Sequence, residues 1–234
     1  MIRRFYREVS LAAREGGWQV QLDARGVKTV GGAPQVVPAR ALGEALAGEW
    51  RAQGDKIDPK SLPLRDMADY AIDQVAPDPT SLAEALLAYA ETDTLCYRAD
   101  PDEPLYARQQ QVWEPLVSRF EAAHGLALAR VSGVLPRPQP AATLAALRAR
   151  LMRCDPFTLA GLEAMTRLAA SLVIALLASE AAEEPEALAL WQAACLEEEW
   201  QAELWGRDAE AEARRQRRKA DFLAAWRFVR LAQG

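Results

Sequence analysis

Gly16-Gly17-Trp18-Gln19-Val20-Gln21-Leu22-Asp23-Ala24-Arg25-Gly26 is the stretch on which the fold class turns. From Trp18 to Leu22 apolar and polar residues alternate, which puts Trp18, Val20 and Leu22 on one face of a strand. The glycine pair ahead of them and the Asp23-Ala24-Arg25-Gly26 run behind them read as turns. Working outward, the strand reading begins at Glu8. On the other side Val27-Lys28-Thr29-Val30 is expected to return as a strand, Gly31-Gly32-Ala33-Pro34 to turn again, and Gln35-Val36-Val37 to complete a small antiparallel meander.

Such a sheet cannot bury its apolar face alone and needs helices over it. Residues 38–53 carry Leu42, Ala45, Leu46, Glu49 and Trp50 at helical spacing and meet Gly54, a natural stop. A second helix is expected from Leu62-Pro63, with Met67, Ala68, Ala71, Ile72 and Val75 on it. Pro77-Asp78-Pro79 then disfavours continuous helix and sets the expected boundary between an N-terminal α/β domain, residues 1–76, and a helical domain, residues 77–234. In the second part helices are expected over 82–91, 104–124, 143–152, 155–179, 186–205 and from 207 toward 231, with a proline-rich loop over 133–140. The fold class is α+β, a small N-terminal antiparallel sheet with packed helices followed by a helical bundle of mixed crossing angles.

Of the 234 residues 50% are hydrophobic and 26% charged, the balance of an ordinary soluble globular chain. A formal net charge of −5 argues against a surface devoted to nucleic acid or anionic lipid. Cys96, Cys154 and Cys195 are scattered, odd in number and without a CxxC pair, so neither a disulfide framework nor a zinc site is expected, and a reducing cytoplasm fits. Met1-Ile2-Arg3-Arg4-Phe5-Tyr6 has no apolar signal region. The longest apolar run, residues 168–178, is well short of the ~20 residues that span a bilayer, which reads as a core helix and no membrane insertion.

The catalytic sets are missing. The single histidine, His124, precedes Gly125 at a helix end, where it reads as a cap for the last carbonyls, and no second base is available for a triad. The glycine pairs lack the lysine and helix onset of a phosphate loop, so no nucleotide cofactor is implied. Tryptophan and carboxylate concentrate instead in Leu196-Glu197-Glu198-Glu199-Trp200-Gln201-Ala202-Glu203-Leu204-Trp205-Gly206. Leu188, Trp191, Cys195, Glu198, Ala202, Trp205 and Ala209 recur at spacings that alternate three and four, the rhythm of one helical face. Glu198 is then the one carboxylate on an apolar stripe, expected either to be buried and paired, with Ser171 or Arg167, or to be the charged point of a groove. Glu197, Glu199 and Glu203 read as solvated. A di-iron carboxylate site needs a Glu-x-x-His pair from each of two helices, and one histidine cannot supply them. A carboxylate-based enzyme or metal-binding protein is nevertheless the alternative class. The basic run at 214–219 follows Glu210 and Glu212 at helical spacing and reads as an ion-paired helix face rather than a grip for RNA. Trp50 reads as core, closing the meander, with an indole N–H in need of an acceptor.

Several segments, in order, carry a resemblance: Phe5-Tyr6-Arg7-Glu8-Val9-Ser10, Gly17-Trp18-Gln19-Val20-Gln21-Leu22-Asp23, Glu49-Trp50-Arg51-Ala52-Gln53-Gly54-Asp55-Lys56-Ile57-Asp58-Pro59, Glu91-Thr92-Asp93-Thr94-Leu95-Cys96-Tyr97-Arg98, Arg108-Gln109 with Trp113-Glu114-Pro115-Leu116, and the Leu196 to Gly206 run. Over residues 5–211 the chain resembles the assembly chaperones of the ATP synthase catalytic head. That resemblance implies binding of the unassembled alpha subunit of the F-type ATPase until the beta subunit takes its place, with no ATP hydrolysis and no cofactor. It also implies an N-terminal α/β unit followed by an orthogonal helical bundle, and a bacterial, cytoplasmic monomer. Partner contacts are implied at Glu198, Glu199, Gln201 and Trp205, and at the helix-end Trp50. Val30-Gly31-Gly32 and Arg65-Asp66-Met67 depart from the family pattern and bear on the turn geometry of the small domain.

Overall fold

The computed structural model describes residues 2–133 and 137–234, so part of the expected 133–140 loop lies outside the described residues. The chain forms two compact units, the first from Met1–Pro79, Asp155–Gly161 and Ala224–Gly234, the second from Thr80–Cys154 and Leu162–Leu223.

In the first unit β1 (Val9–Arg14) and β2 (Gly17–Leu22) pair antiparallel from Val9↔Leu22 to Arg14↔Gly17. β3 (Arg25–Gly26) and β4 (Val36–Val37) pair with the two ends of β2, which is therefore the central strand of a four-stranded sheet. The alternation puts Val20 and Leu22 in the core, as the sequence implies. Gln19, on the opposite face, is buried as well. It is tolerated there because its amide donates to Val27 O at 2.9 Å and its oxygen accepts from Arg14 Nε at 3.0 Å. Asp23 and Ala24 both have positive φ, 49° and 65°, as the two-residue β2–β3 hairpin requires. The expected strand at 27–30 is a correction: the ladder stops at Gly26. The loop beyond folds onto α2 (Pro63–Tyr70) and the π turn Ala71–Val75 that follows it, because Asp73 accepts from Thr29 Oγ1 and Gly31 N at 2.7 Å each, and Asp69 accepts from Gln35 Nε2 at 2.6 Å.

α1 (Arg40–Arg51) lies over the sheet with Leu42, Gly43, Leu46, Ala47 and Trp50 inward. A Cβ at Gly43 would stand 2.8 Å from Leu11 Cδ1 and 3.2 Å from Trp18 Cβ, so the glycine lets the helix approach the strand without displacing the Leu11 side chain. α1 ends at Arg51 with Ala52 as its C-cap, before Gly54. Glu49 accepts from the backbone N–H groups of Leu64 at 2.8 Å and Arg65 at 2.9 Å, and so caps α2.

The second unit is built from helices. They are α3 (Pro79–Glu91), α4 (Pro104–His124), α5 (Ala141–Leu151), α7 (Leu172–Glu180), α8 (Glu184–Ala194), α9 (Leu196–Trp205) and the larger parts of α6 (Pro156–Ala169) and α10 (Ala209–Gln233). Its two strands, β5 (Tyr97–Arg98) and β6 (Val131–Ser132), are short and parallel. Every residue of α7 from Leu172 to Ala178 is buried, so this helix is the core. Two expected helices are each broken in two. The 155–179 span breaks at Ala170, whose φ is 49°, and Ser171 begins α7 by accepting from Ile174 N at 3.0 Å. The buried carboxylate of Asp93 fixes that start, accepting from Ser171 Oγ at 2.7 Å and Val173 N at 2.9 Å. The 186–205 span breaks at Cys195, which is both the end of α8 and the start of α9. α4 ends where expected, with Gly125 left-handed at φ 63° after His124.

Candidate functional site

The break at Cys195 decides which carboxylates face inward on α9. Helical phase carried across it from α8 names Glu198, but the new helix turns Glu197 in. Glu197 accepts a hydrogen bond from Gln109 Nε2 at 2.7 Å, and Gln109, fully buried on α4, accepts from Ala99 N at 2.8 Å. Burial raises the Glu197 carboxyl above its ordinary range, with the Gln109 bond pulling the other way. Arg98 belongs to the same cluster. Its guanidinium is buried, donates to Leu95 O at 2.8 Å, pairs with Glu114 at 3.2 Å and lies 5.4 Å over the Trp113 ring. α8 is tied to α4 beside it, through Trp113 Nε1 donating to Ala193 O at 2.7 Å.

Glu198 corrects the buried expectation. Its side chain is 46% exposed, and its partners are neither Ser171 nor Arg167 but Arg218 at 2.7 Å and Arg215 at 3.9 Å. Ser171 is occupied with Asp93, and Arg167 pairs with Glu163. Glu199, expected to be free in solvent, is held by Arg207 and by Arg215 at 2.9 Å. Arg215 also reaches Glu212 at 3.0 Å. Arg218 extends further inward, donating to Leu168 O at 2.9 Å and stacking 5.3 Å over Trp191. The basic run of α10 therefore faces the carboxylates of α9, with the expected Glu210–Arg214 pair at 3.0 Å on its outer side. Such a network fixes the two helices in register more than it adds stability, since each exposed pair is worth about 0–1 kcal/mol.

Between α4, α8, α9 and α10 lies a cleft of about 570 Å³ whose wall includes Trp191, Leu196, Trp200, Arg207 and Arg215. Past it, at the end of α9, Leu204 is 60% and Trp205 79% exposed. Gln201 is exposed on the same helix. The structure thus gathers Glu198, Glu199, Gln201 and Trp205 on one ten-residue helix. Trp50 is a residue of the first unit, 7% exposed, with its ring edge-on to Tyr6 at 5.7 Å. Gln109, Glu197, Arg215 and Arg218 were missed as parts of the site. The available signal was the Arg108-Gln109 pair upstream of Trp113, together with the arginine spacing on α10. Among the described residues no three His, Cys, Asp or Glu side chains are placed to hold a metal ion, and no helix is long and apolar enough to cross a membrane.

A small sheet with packed helices, followed by a helical bundle, places the chain among assembly chaperones. The family model described as ATP12 chaperone protein matches residues 3–121, and the chain belongs to that family. The solved structure of Atp12 from Paracoccus denitrificans is similar at a TM-score of 0.91 and 39% identity, over 99% of this chain and 98% of that one. The Atu1473 protein of Agrobacterium tumefaciens matches at 0.91 and 36% identity, over 98% and 85%. The mitochondrial protein atp12 of Schizosaccharomyces pombe is 26% identical over 184 residues, which is 74% of this chain. The match takes in 63% of the yeast protein, so this chain spans less than two thirds of that curated relative.

Proposed function

We propose that this protein is an assembly chaperone of the ATP synthase catalytic head that binds the unassembled alpha subunit through α9 and is displaced by the beta subunit. The observation that carries the reading is the free end of α9. Leu204 and Trp205 stand 60% and 79% exposed beside Gln201, on a helix whose orientation is fixed by Gln109 on one side and by the arginines of α10 on the other. A rigid helix presenting an aromatic anchor to an apolar interface is the arrangement expected of a reversible cover, because aromatic anchors supply most of the affinity and charged rims supply orientation. Family membership supports the chaperone class. The carboxylates of α9 support binding over catalysis, since Glu198 and Glu199 are matched by guanidinium groups rather than set opposite one another as an acid–base pair.

The test is direct binding. Fluorescently labelled alpha subunit should bind the purified protein saturably, and added beta subunit should release it. Trp205→Ala should weaken that binding by about tenfold or more, the loss of an aromatic anchor. Equal binding of alpha by the wild type and by Trp205→Ala would move the contact away from α9.

A further inference from the structure

The cleft between α4, α8, α9 and α10 is continuous with the free end of α9. Its accessible apolar surface comes from Ala189, which is exposed, and from Val112 and Trp200, which are half-buried. On α9 the positions Leu196, Trp200 and Leu204 stand four apart and so form one row along the helix. Exposure grows along that row, from 7% at Leu196 through half-buried Trp200 to 60% at Leu204. The apolar wall of the cleft therefore runs on into the uncovered end that carries Trp205.

The charges on the lining are uneven. Glu199 and Glu212 are matched by Arg207 and Arg215, two carboxylates against two guanidinium groups. Arg108 and Lys219 then stand against the single carboxylate of Glu203. Arg108 is exposed on α4 and makes no ion pair with a described residue, and Lys219 acts on Glu212 only from beyond ion-pair distance. On a chain of formal net charge −5, this cleft is locally cationic.

We propose, resting on the reading of α9 as the alpha-subunit contact, that the cleft receives an apolar side chain of the unassembled alpha subunit together with an acidic residue beside it. The apolar side chain lies against Val112 and Trp200, in the row that Leu204 continues. The carboxylate pairs with Arg108, and Lys219 adds charge complementarity. A volume of about 570 Å³ is within the range of pockets that enclose small, largely apolar bodies.

The test measures binding of fluorescently labelled alpha subunit to the intact protein and to two charge-reversed variants. Arg108→Glu, at an exposed position without an ion pair, should keep the fold and weaken binding about tenfold at low salt, with the deficit shrinking as salt rises. Arg153→Glu makes the same change in charge at an exposed residue outside the cleft and should bind as the wild type does. A photoreactive p-benzoylphenylalanine at Gln192, exposed on the lining, should cross-link to a segment of alpha in which Asp or Glu stands beside an apolar residue. Changing that carboxylate to Lys should weaken binding to the wild type and restore binding to Arg108→Glu. If the wild type binds alpha and Trp205→Ala loses affinity while Arg108→Glu does not, the cleft proposal falls and the α9 contact stands. Equal losses in Arg108→Glu and Arg153→Glu, a cross-link to a second copy of this chain, or one to a segment without a carboxylate overturn it as well. Absence of alpha binding by the wild type overturns both.

Discussion

Gln109→Leu removes the group that fixes α9 to α4 while nearly keeping its volume. Gln109 is fully buried and makes two side-chain hydrogen bonds, from Ala99 N at 2.8 Å and to Glu197 Oε1 at 2.7 Å. Leucine leaves the Ala99 N–H without its acceptor, at about 1–3 kcal/mol, and removes a bond to a charged group worth about 1.5–3 kcal/mol. Glu197 is only half-buried and recovers some hydration, so the expected loss is about 3 kcal/mol. Urea unfolding reads this as a lower midpoint at unchanged slope. The coupling is read from a double-mutant cycle with Glu197→Ala, which should return about 1.5 kcal/mol or more. Single effects that add within about 0.5 kcal/mol would refute the pairing. The pH dependence gives a second reading. Because burial raises the folded pKa of Glu197, the stability tied to its protonated form is present below the unfolded value near 4.5 and is lost as pH rises through the higher folded value. The stability of the wild type relative to Glu197→Gln should therefore fall as pH rises through the acid range. A relative stability that rises would mean that the Gln109 bond outweighs burial.

Asp93 offers a stronger case of the same sign. It is fully buried, and its carboxyl is pushed up to about 6 by burial against the pull of the Val173, Ser171 and Leu95 donors. Relative to Asp93→Asn, the wild type should lose about 3 kcal/mol between pH 4 and 7, followed by thermal unfolding across that range. Ala24 holds φ 65° in the hairpin, so Ala24→Gly should raise stability by about 0.5–1 kcal/mol and Ala24→Val lower it, seen as opposite shifts of Tm. Glu198→Gln should cost under about 1 kcal/mol, as an exposed ion pair does, and a clearly larger fall in unfolding free energy would restore the buried reading.

The first unit is legible from its residues because its signals are local. Alternation over Trp18–Val20–Leu22, glycine at the turns and the apolar face Leu42–Leu46–Trp50 each specify a nearby element, and the structure holds all three. The helix breaks of the second unit are not local. Neither Ala170 nor Cys195 is a glycine or proline, and neither stands beside one. Ala170 takes its left-handed turn where Thr94 N and Oγ1 both donate to its carbonyl, at 3.1 and 2.8 Å, and where Asp93 anchors the helix that follows. Those partners lie more than seventy positions upstream. The same limit exchanged Glu197 for Glu198. A periodicity carried through Cys195 assumes one axis, and the restart at Leu196 gives the inward place to the preceding carboxylate. What the stretch did show was its composition, tryptophan beside glutamate, whereas the family match falls on residues 3–121, upstream of it.

The most direct test of the account is the aggregation of purified alpha subunit, followed by light scattering, in the presence of this protein and of its Leu204→Ser/Trp205→Ser variant. Both altered positions are exposed, so the variant should keep the wild-type Tm. The wild type should suppress aggregation at near-equimolar ratio, and the variant, equally folded, should not. Suppression by both to the same extent, or by neither, would contradict it.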